Sequence, residues 1–443
     1  MLNQKEKYTV NIESINNMGN GVTHIDGIVV FVPFAITGDV CHITIEKLYS
    51  SYAIGKIENI LSPSPYRTVP ACPHFTACGG CDLLGLSLDK ENEAKEEMVS
   101  SVLKKFGIDA KTSKTVCPVS EKYRNKVVLY YGKGGFGYYK QGSNEVVPHN
   151  ACLMNDHLID EIAELCSADL EKSGLRALFI RKSSHTEPQV MVSPIYSKKM
   201  DILGFASKLV NKFPCVHSVL LGVNKEKDFV LEKTDFSTVY GGGYIEDEIC
   251  GLKFRVSPKS FYQINHTCAT QLYEKAVELL SAKEGESIAD LFCGTGTMGM
   301  IVAKRTGATV TGVEIEKSAV KDAKINAKIN KINNIEFFAD DAKNFDKSVD
   351  ACIIDPPRKG CSKFMIDTLL RLKPKRIVYV SCNPDTMARD IKLLSEEYVL
   401  SSDVFVFNMF PRTSHVETVV LLSREKADDY VRISVHTKDL RKG

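Results

Sequence analysis

The stretch Ser287-Ile-Ala-Asp290-Leu-Phe-Cys-Gly294-Thr-Gly296-Thr-Met-Gly299 changes character halfway along. Residues 287–291 form a short apolar run with the length of a buried strand, and from residue 298 the pattern is helical. Between them, two glycines let the backbone turn sharply and come close to a ligand. The alternation continues downstream: 309–314, 335–338, 351–354 and 376–380 read as strands and 318–330 as a helix. Such alternation implies a doubly wound α/β domain beginning near Gly251. Residues 404–407 and 416–422, joined by a turn around Pro411, read as an antiparallel pair closing the sheet.

Open α/β sheets bind ligands beyond the carboxyl ends of their strands. The first strand ends in Asp290-Leu-Phe292-Cys-Gly294-Thr-Gly296, and the second ends at Glu314, placed to accept hydrogen bonds from two ribose hydroxyls. The third runs into Asp340-Asp341-Ala342, whose acid suits an adenine amino group, and the fourth into Asp355-Pro-Pro-Arg358. Gly294-x-Gly296-x-x-Gly299 with an acid about 20 residues on also matches the dinucleotide fingerprint. On these residues alone, a nicotinamide cofactor and a ligand-free tight turn both stay open.

The fifth strand runs into Ser381-Cys382-Asn383-Pro384. Free cysteine is usually buried and inert, which suits Cys293 and Cys352 inside apolar segments. Cys382 differs, because polar residues and a proline surround it at the crevice end of a strand, opposite Asp355. Glu417, in Ser-His-Val-Glu-Thr before an apolar strand, is a candidate base, and its other reading is an exposed strand carboxylate.

Asp355-Pro-Pro-Arg-Lys-Gly360, Val380-Ser-Cys-Asn-Pro384 and Phe410-Pro-Arg-Thr-Ser-His-Val-Glu417, in that order, resemble the signatures of the RNA uracil-5 methyltransferase family, and Ser260-Phe-Tyr-Gln263-Ile-Asn265 resembles its segment before the cofactor fold. The resemblance implies a Rossmann-like class I methyltransferase domain using S-adenosylmethionine. It assigns Gln263, Phe292, Glu314 and Asp355 to the methyl donor or the target ring, beside the strand-end candidates Gly294, Gly296 and Asp341. It makes Cys382 the nucleophile that adds to carbon 6 of uracil and Glu417 the base that removes the carbon-5 proton. Asn408 departs from the pattern, which has aspartate before Met-Phe-Pro.

Upstream, 8–12, 22–24, 28–32, 39–46 and 52–59 read as short strands punctuated by glycines, the pattern of a small β-barrel. Gly19-Asn-Gly-Val22 and Ile28-Val-Val-Phe-Val-Pro33 resemble the TRAM RNA-binding barrel, with Lys47, Tyr49 and Tyr52 as candidate contacts. Residues 61–73 hold four prolines and read as a linker, followed by three thiols, Cys72, Cys78 and Cys81. Both iron–sulfur clusters and structural zinc take four cysteines, so spacing leaves the metal open. By resemblance to relatives carrying a four-iron, four-sulfur cluster, Cys152 becomes the fourth ligand and zinc the lesser choice. Residues 83–106 read as one helix, and 117–250 as mixed, with strand-like runs at 126–131, 178–181, 189–192 and 217–223. The expected domains are a barrel at 1–60, a central iron–sulfur α+β domain at 68–250, whose helix 83–106 is a candidate to pack on the catalytic domain, and a catalytic domain at 251–443.

The 443 residues are 44% hydrophobic and 25% charged, ordinary for a globular chain able to bury a large core. Runs such as Val419 to Leu422 are far too short to span a bilayer, and the polar start MLNQKEKYTV is no secretory leader. A cytoplasmic protein with no membrane partner is expected, a monomer by default. Fourteen cysteines in a reducing compartment point to free thiols, metal ligands and a catalytic thiol rather than disulfides. The net charge of +2 decides nothing about RNA, since a large enzyme confines its positive charge to one groove. The resemblance favours 23S ribosomal RNA as substrate. Transfer RNA is the alternative, and a nicotinamide-dependent iron–sulfur oxidoreductase is the competing reading of another class.

Overall fold

The computed structural model describes residues 2–424. Its largest sheet runs Ile335–Ala339, Thr309–Glu314, Ser287–Leu291, Ala351–Ile354, Arg376–Ser381, Glu417–Arg424 and Tyr398–Leu400, with Phe405–Phe407 also paired to Glu417–Arg424. The first five are parallel and the last three antiparallel. The chain order reverses between Ser287–Leu291 and Ala351–Ile354, which places the ligand crevice beyond their carboxyl ends.

Successive strand residues face opposite sides, and both sides are covered. Ile288, Ile353 and Val378 pack with Leu272, Ile301 and Ala323 of the helices His266–Leu280, Thr297–Thr306 and Lys317–Ile329. Their neighbours Ala289, Ile354 and Tyr379 pack with Leu369 and Met387 of Lys363–Leu372 and Pro384–Leu394, and with Val99 and Leu103 of Leu88–Lys105. That last helix thus belongs to the catalytic core although it lies far upstream in sequence. It begins at Leu88 rather than at residue 83, because Leu83 N–H is committed to Arg412 O at 3.0 Å and Leu86 bridges Arg67.

The strands between Lys7 and Ser62 form a six-stranded sheet around Val30, Val32, Ile43, Ile45 and Ala53. The central region is a seven-stranded sheet backed by His157–Asp169 and Leu203–Lys212. Its strand Gly135–Tyr139 escapes the sequence reading because glycine carries little strand preference. Here a Cβ at Gly137 would lie 1.9 Å from Val147 O, so close strand approach demands glycine. No helix among the described residues is long and apolar enough to cross a membrane.

Candidate active site

A cavity of about 620 Å³ opens at the carboxyl ends of the parallel strands. Gln263, Phe292, Gly294, Glu314, Asp341, Asp355, Cys382 and Glu417 all line it, so residues scattered over 154 positions share one space. Gly296 is the exception. At φ 79° it caps the helix Thr297–Thr306, and a Cβ there would stand 2.4 Å from the Phe337 ring. Packing against Phe337 and the positive φ both require glycine here.

Glu314 ends its strand with one oxygen accepting from Gly294 N–H at 3.1 Å and the other from Glu316 N–H at 2.9 Å. Those bonds fix the carboxylate across the glycine turn and leave further lone pairs for hydroxyl donors. Asp341 caps the turn Ala342–Asn344, and its bonds to Lys343 hold its carboxyl below the usual range. Phe292 has φ 68°, a conformation costly for a bulky residue. It is held there by Phe292 N–H and Cys293 N–H, which both donate to Val313 O at 3.0 and 3.1 Å.

Buried acids lie at and behind the cavity wall. Burial raises Asp290 to about 7, and one of its oxygens accepts from Gly299 N–H at 2.8 Å while the other has no partner. Burial and then Asp290 raise Asp355 to about 7, and burial and then Asp355 push Glu417 well above the usual range. Crowded carboxyls with little solvent are relieved by a positive ligand, which lowers all of their pKa values together.

Cys382 sits between Arg376–Ser381 and the helix Pro384–Leu394, which Asn383 caps through its side-chain oxygen on Asp385 N–H at 3.2 Å. Asn383 Nδ2 also donates to Arg358 O at 3.0 Å, tying the thiol loop to the Asp355–Gly360 turn. A helix N-terminus favours thiolate, but burial, then Glu417 and Asp355, push the thiol up to about 12. Cys382 therefore rests as a protonated thiol.

The sequence reading missed Phe261 and Ile315, which line the cavity while being 61% and 69% exposed. Phe261 lies inside the quoted Ser-Phe-Tyr-Gln motif, so its signal was present. Asn408 proves well suited to its place. Its amide donates to Glu91 Oε1 at 2.8 Å and accepts from Lys95 Nζ at 2.6 Å, in a buried network where aspartate would repel Glu91.

A second cavity gathers Cys72, Cys78, Cys81 and Cys152 with Arg124, Tyr138 and His149. Arg124 Nε and both His149 ring nitrogens are buried there without partners. A Cβ at Gly79 would meet the Gln141 backbone at 3.0 Å, so the thiol loop is pressed against the sheet. Among the described residues no three His, Cys, Asp or Glu side chains stand close enough to share a single ion.

This strand order, with an acid-lined crevice at its switch point, defines a class I methyltransferase. A methyltransferase-domain profile matches residues 282–408 and a TRAM-domain profile matches residues 3–57. An uncharacterized RNA methyltransferase of Bacillus cereus is 34% identical over 95% of this chain and 97% of its own length. Another from Staphylococcus aureus is 34% identical over 94% and 97%. The crystal structure of Pyrococcus abyssi tRNA (uracil-54, C5)-methyltransferase in complex with S-adenosyl-L-homocysteine superposes with a TM-score of 0.75 at 27% identity, covering 94% of this chain and all of that one. The chain belongs to the RNA uracil-5 methyltransferase family. It is an S-adenosylmethionine-dependent RNA methyltransferase.

Proposed function

We propose that this enzyme methylates carbon 5 of a uridine in cytoplasmic RNA through a covalent bond to Cys382. The observation that carries the reading is the meeting of Cys382 and Glu417 in the cavity lined by Glu314 and Asp341. Uracil carbon 5 is a poor nucleophile until a thiolate adds to carbon 6. When bound, S-adenosylmethionine supplies the electrophilic methyl group and a positive charge facing the acids. With that charge beside them, Glu417 is a carboxylate and the Cys382 thiol loses its proton to solvent. Sγ then bonds to C6 as the C5=C6 pair shifts onto carbon 5. Carbon 5 takes the methyl group as its bond to the donor sulfur breaks, and a neutral thioether leaves. After methylation Glu417 takes the carbon-5 proton, the C5=C6 bond re-forms and the Sγ–C6 bond breaks. One hard step becomes several easier ones. The target base must leave its stack to enter.

The resemblance favours 23S ribosomal RNA. The match to the Pyrococcus transfer-RNA enzyme over nearly the whole chain supports transfer RNA as the second reading, so domain content does not separate the two. Incubation with methyl-labelled S-adenosylmethionine and unmodified total RNA tests both. Label in 5-methyluridine of large ribosomal RNA supports the first and label in transfer RNA the second, while label on any other atom or none refutes the mechanism.

We also infer that Cys72, Cys78, Cys81 and Cys152 hold an iron–sulfur cluster. A zinc ion draws four sulfurs to about 2.3 Å of one point. Four thiols line one cavity beside the unpartnered nitrogens of Arg124 and His149, a donor set that would hold a cluster. Protein purified without air is expected to be brown, with about four irons and four sulfides per chain. Colourless, zinc-containing protein would overturn the assignment.

A further inference from the structure

The segment 408–416 leads into the strand that begins with Glu417, and distant parts of the chain hold much of its backbone. Asn265 Nδ2 donates to Met409 O at 3.1 Å, Lys95 Nζ to Phe410 O at 3.4 Å and Tyr123 OH to Pro411 O at 3.1 Å. Arg412, at φ 70°, has its carbonyl bound by the N–H groups of Asp82 and Leu83, both at 3.0 Å. Two residues on, the Asp82 carboxylate accepts from Ser414 N–H at 3.2 Å and Ser414 Oγ at 3.3 Å. Asp82 therefore grips the segment twice, three residues before Glu417. It directly follows Cys81 of the thiol cavity. From its other side the barrel presses on it: at Gly19, φ 75°, a Cβ would lie 2.6 Å from Asp82 Cβ and 3.3 Å from Ser414 Cβ. Three regions of the protein thus meet on one carboxylate.

We propose that Asp82 is a positioning residue for Glu417, a latch by which the cysteine loop and the barrel set the angle of the base. The proposal rests on the reading of Glu417 as the base. It concerns the last chemical step, in which Glu417 takes the carbon-5 proton as the Cys382 Sγ–C6 bond breaks. A displaced base slows that step alone, so the methylated RNA stays attached to the protein. A merely structural residue would lower all steps together.

The test uses the full-length protein, methyl-labelled S-adenosylmethionine and the RNA that the wild-type enzyme labels, with adducts resolved on denaturing gels. Asp82→Ala is expected to lower kcat about tenfold or more, since small displacements near reacting groups are costly. It should accumulate a labelled protein–RNA adduct and leave the Kd for S-adenosylmethionine within about twofold. Asp82→Asn keeps an oxygen that accepts from Ser414, so it should turn over without adduct. If Asp82→Ala unfolds, Ser414→Ala, which removes one of the two side-chain bonds, should show the adduct more weakly. Wild-type kcat in Asp82→Ala, loss of rate without adduct, or an Asp82→Asn as impaired as the alanine variant would each overturn the proposal. Glu417→Gln run alongside separates the two layers. If it too shows no adduct, the assignment of the base fails; if it alone shows one, the latch fails.

Discussion

Cys382→Ala is expected to lose methyl transfer by at least about 10⁴-fold, the scale on which removal of a covalent nucleophile acts. The thiol is held protonated by burial and by the acids around it, so its removal takes no charge from the cavity. Glu314 and the glycine turn that it braces are untouched. Affinity for S-adenosylmethionine, read by calorimetry, should therefore stay within about threefold while turnover vanishes. Labelled transfer at more than about one hundredth of the wild-type rate would end the covalent scheme. A matching loss of cofactor affinity would show that Cys382 shapes the pocket rather than attacks the base.

Glu417→Gln should leave the first half of the reaction intact and stop the second. Burial and then Asp355 push its pKa well above the usual range, which favours the neutral form until a bound cation lowers it. The amide has the same shape and charge as that neutral acid, and melting temperature should barely move. It cannot accept a proton. The rate should fall about 10²- to 10⁴-fold, the usual worth of a general base. RNA carrying the new methyl group should remain bound to Cys382 through denaturing electrophoresis. Addition of Cys382→Ala to this variant should abolish the adduct. Free methylated RNA at the wild-type rate would mean that another group takes the proton.

The α/β domain and the N-terminal barrel were legible because each depends on local signals. Alternating apolar runs, glycine turns and acids at strand ends lie within short windows of sequence, and the fold and the family profiles agree with them. The candidate site was legible as a set of strand ends, since any parallel sheet of this order presents them to one crevice. Gly296 shows the limit of that reading. The motif marks the glycine, but only the Phe337 ring, far downstream in the chain, reveals that packing requires it.

What the sequence alone settled was which segments are strands and helices and which residue types end them, because backbone preference and apolar period are properties of neighbours in the chain. Tertiary structure decided the rest. Buried Lys95 and Glu91 meet Asn408, and Asp82 holds Ser414. These contacts join polar groups far apart in sequence, each satisfied only once the domains have packed, and no periodicity in the chain records them.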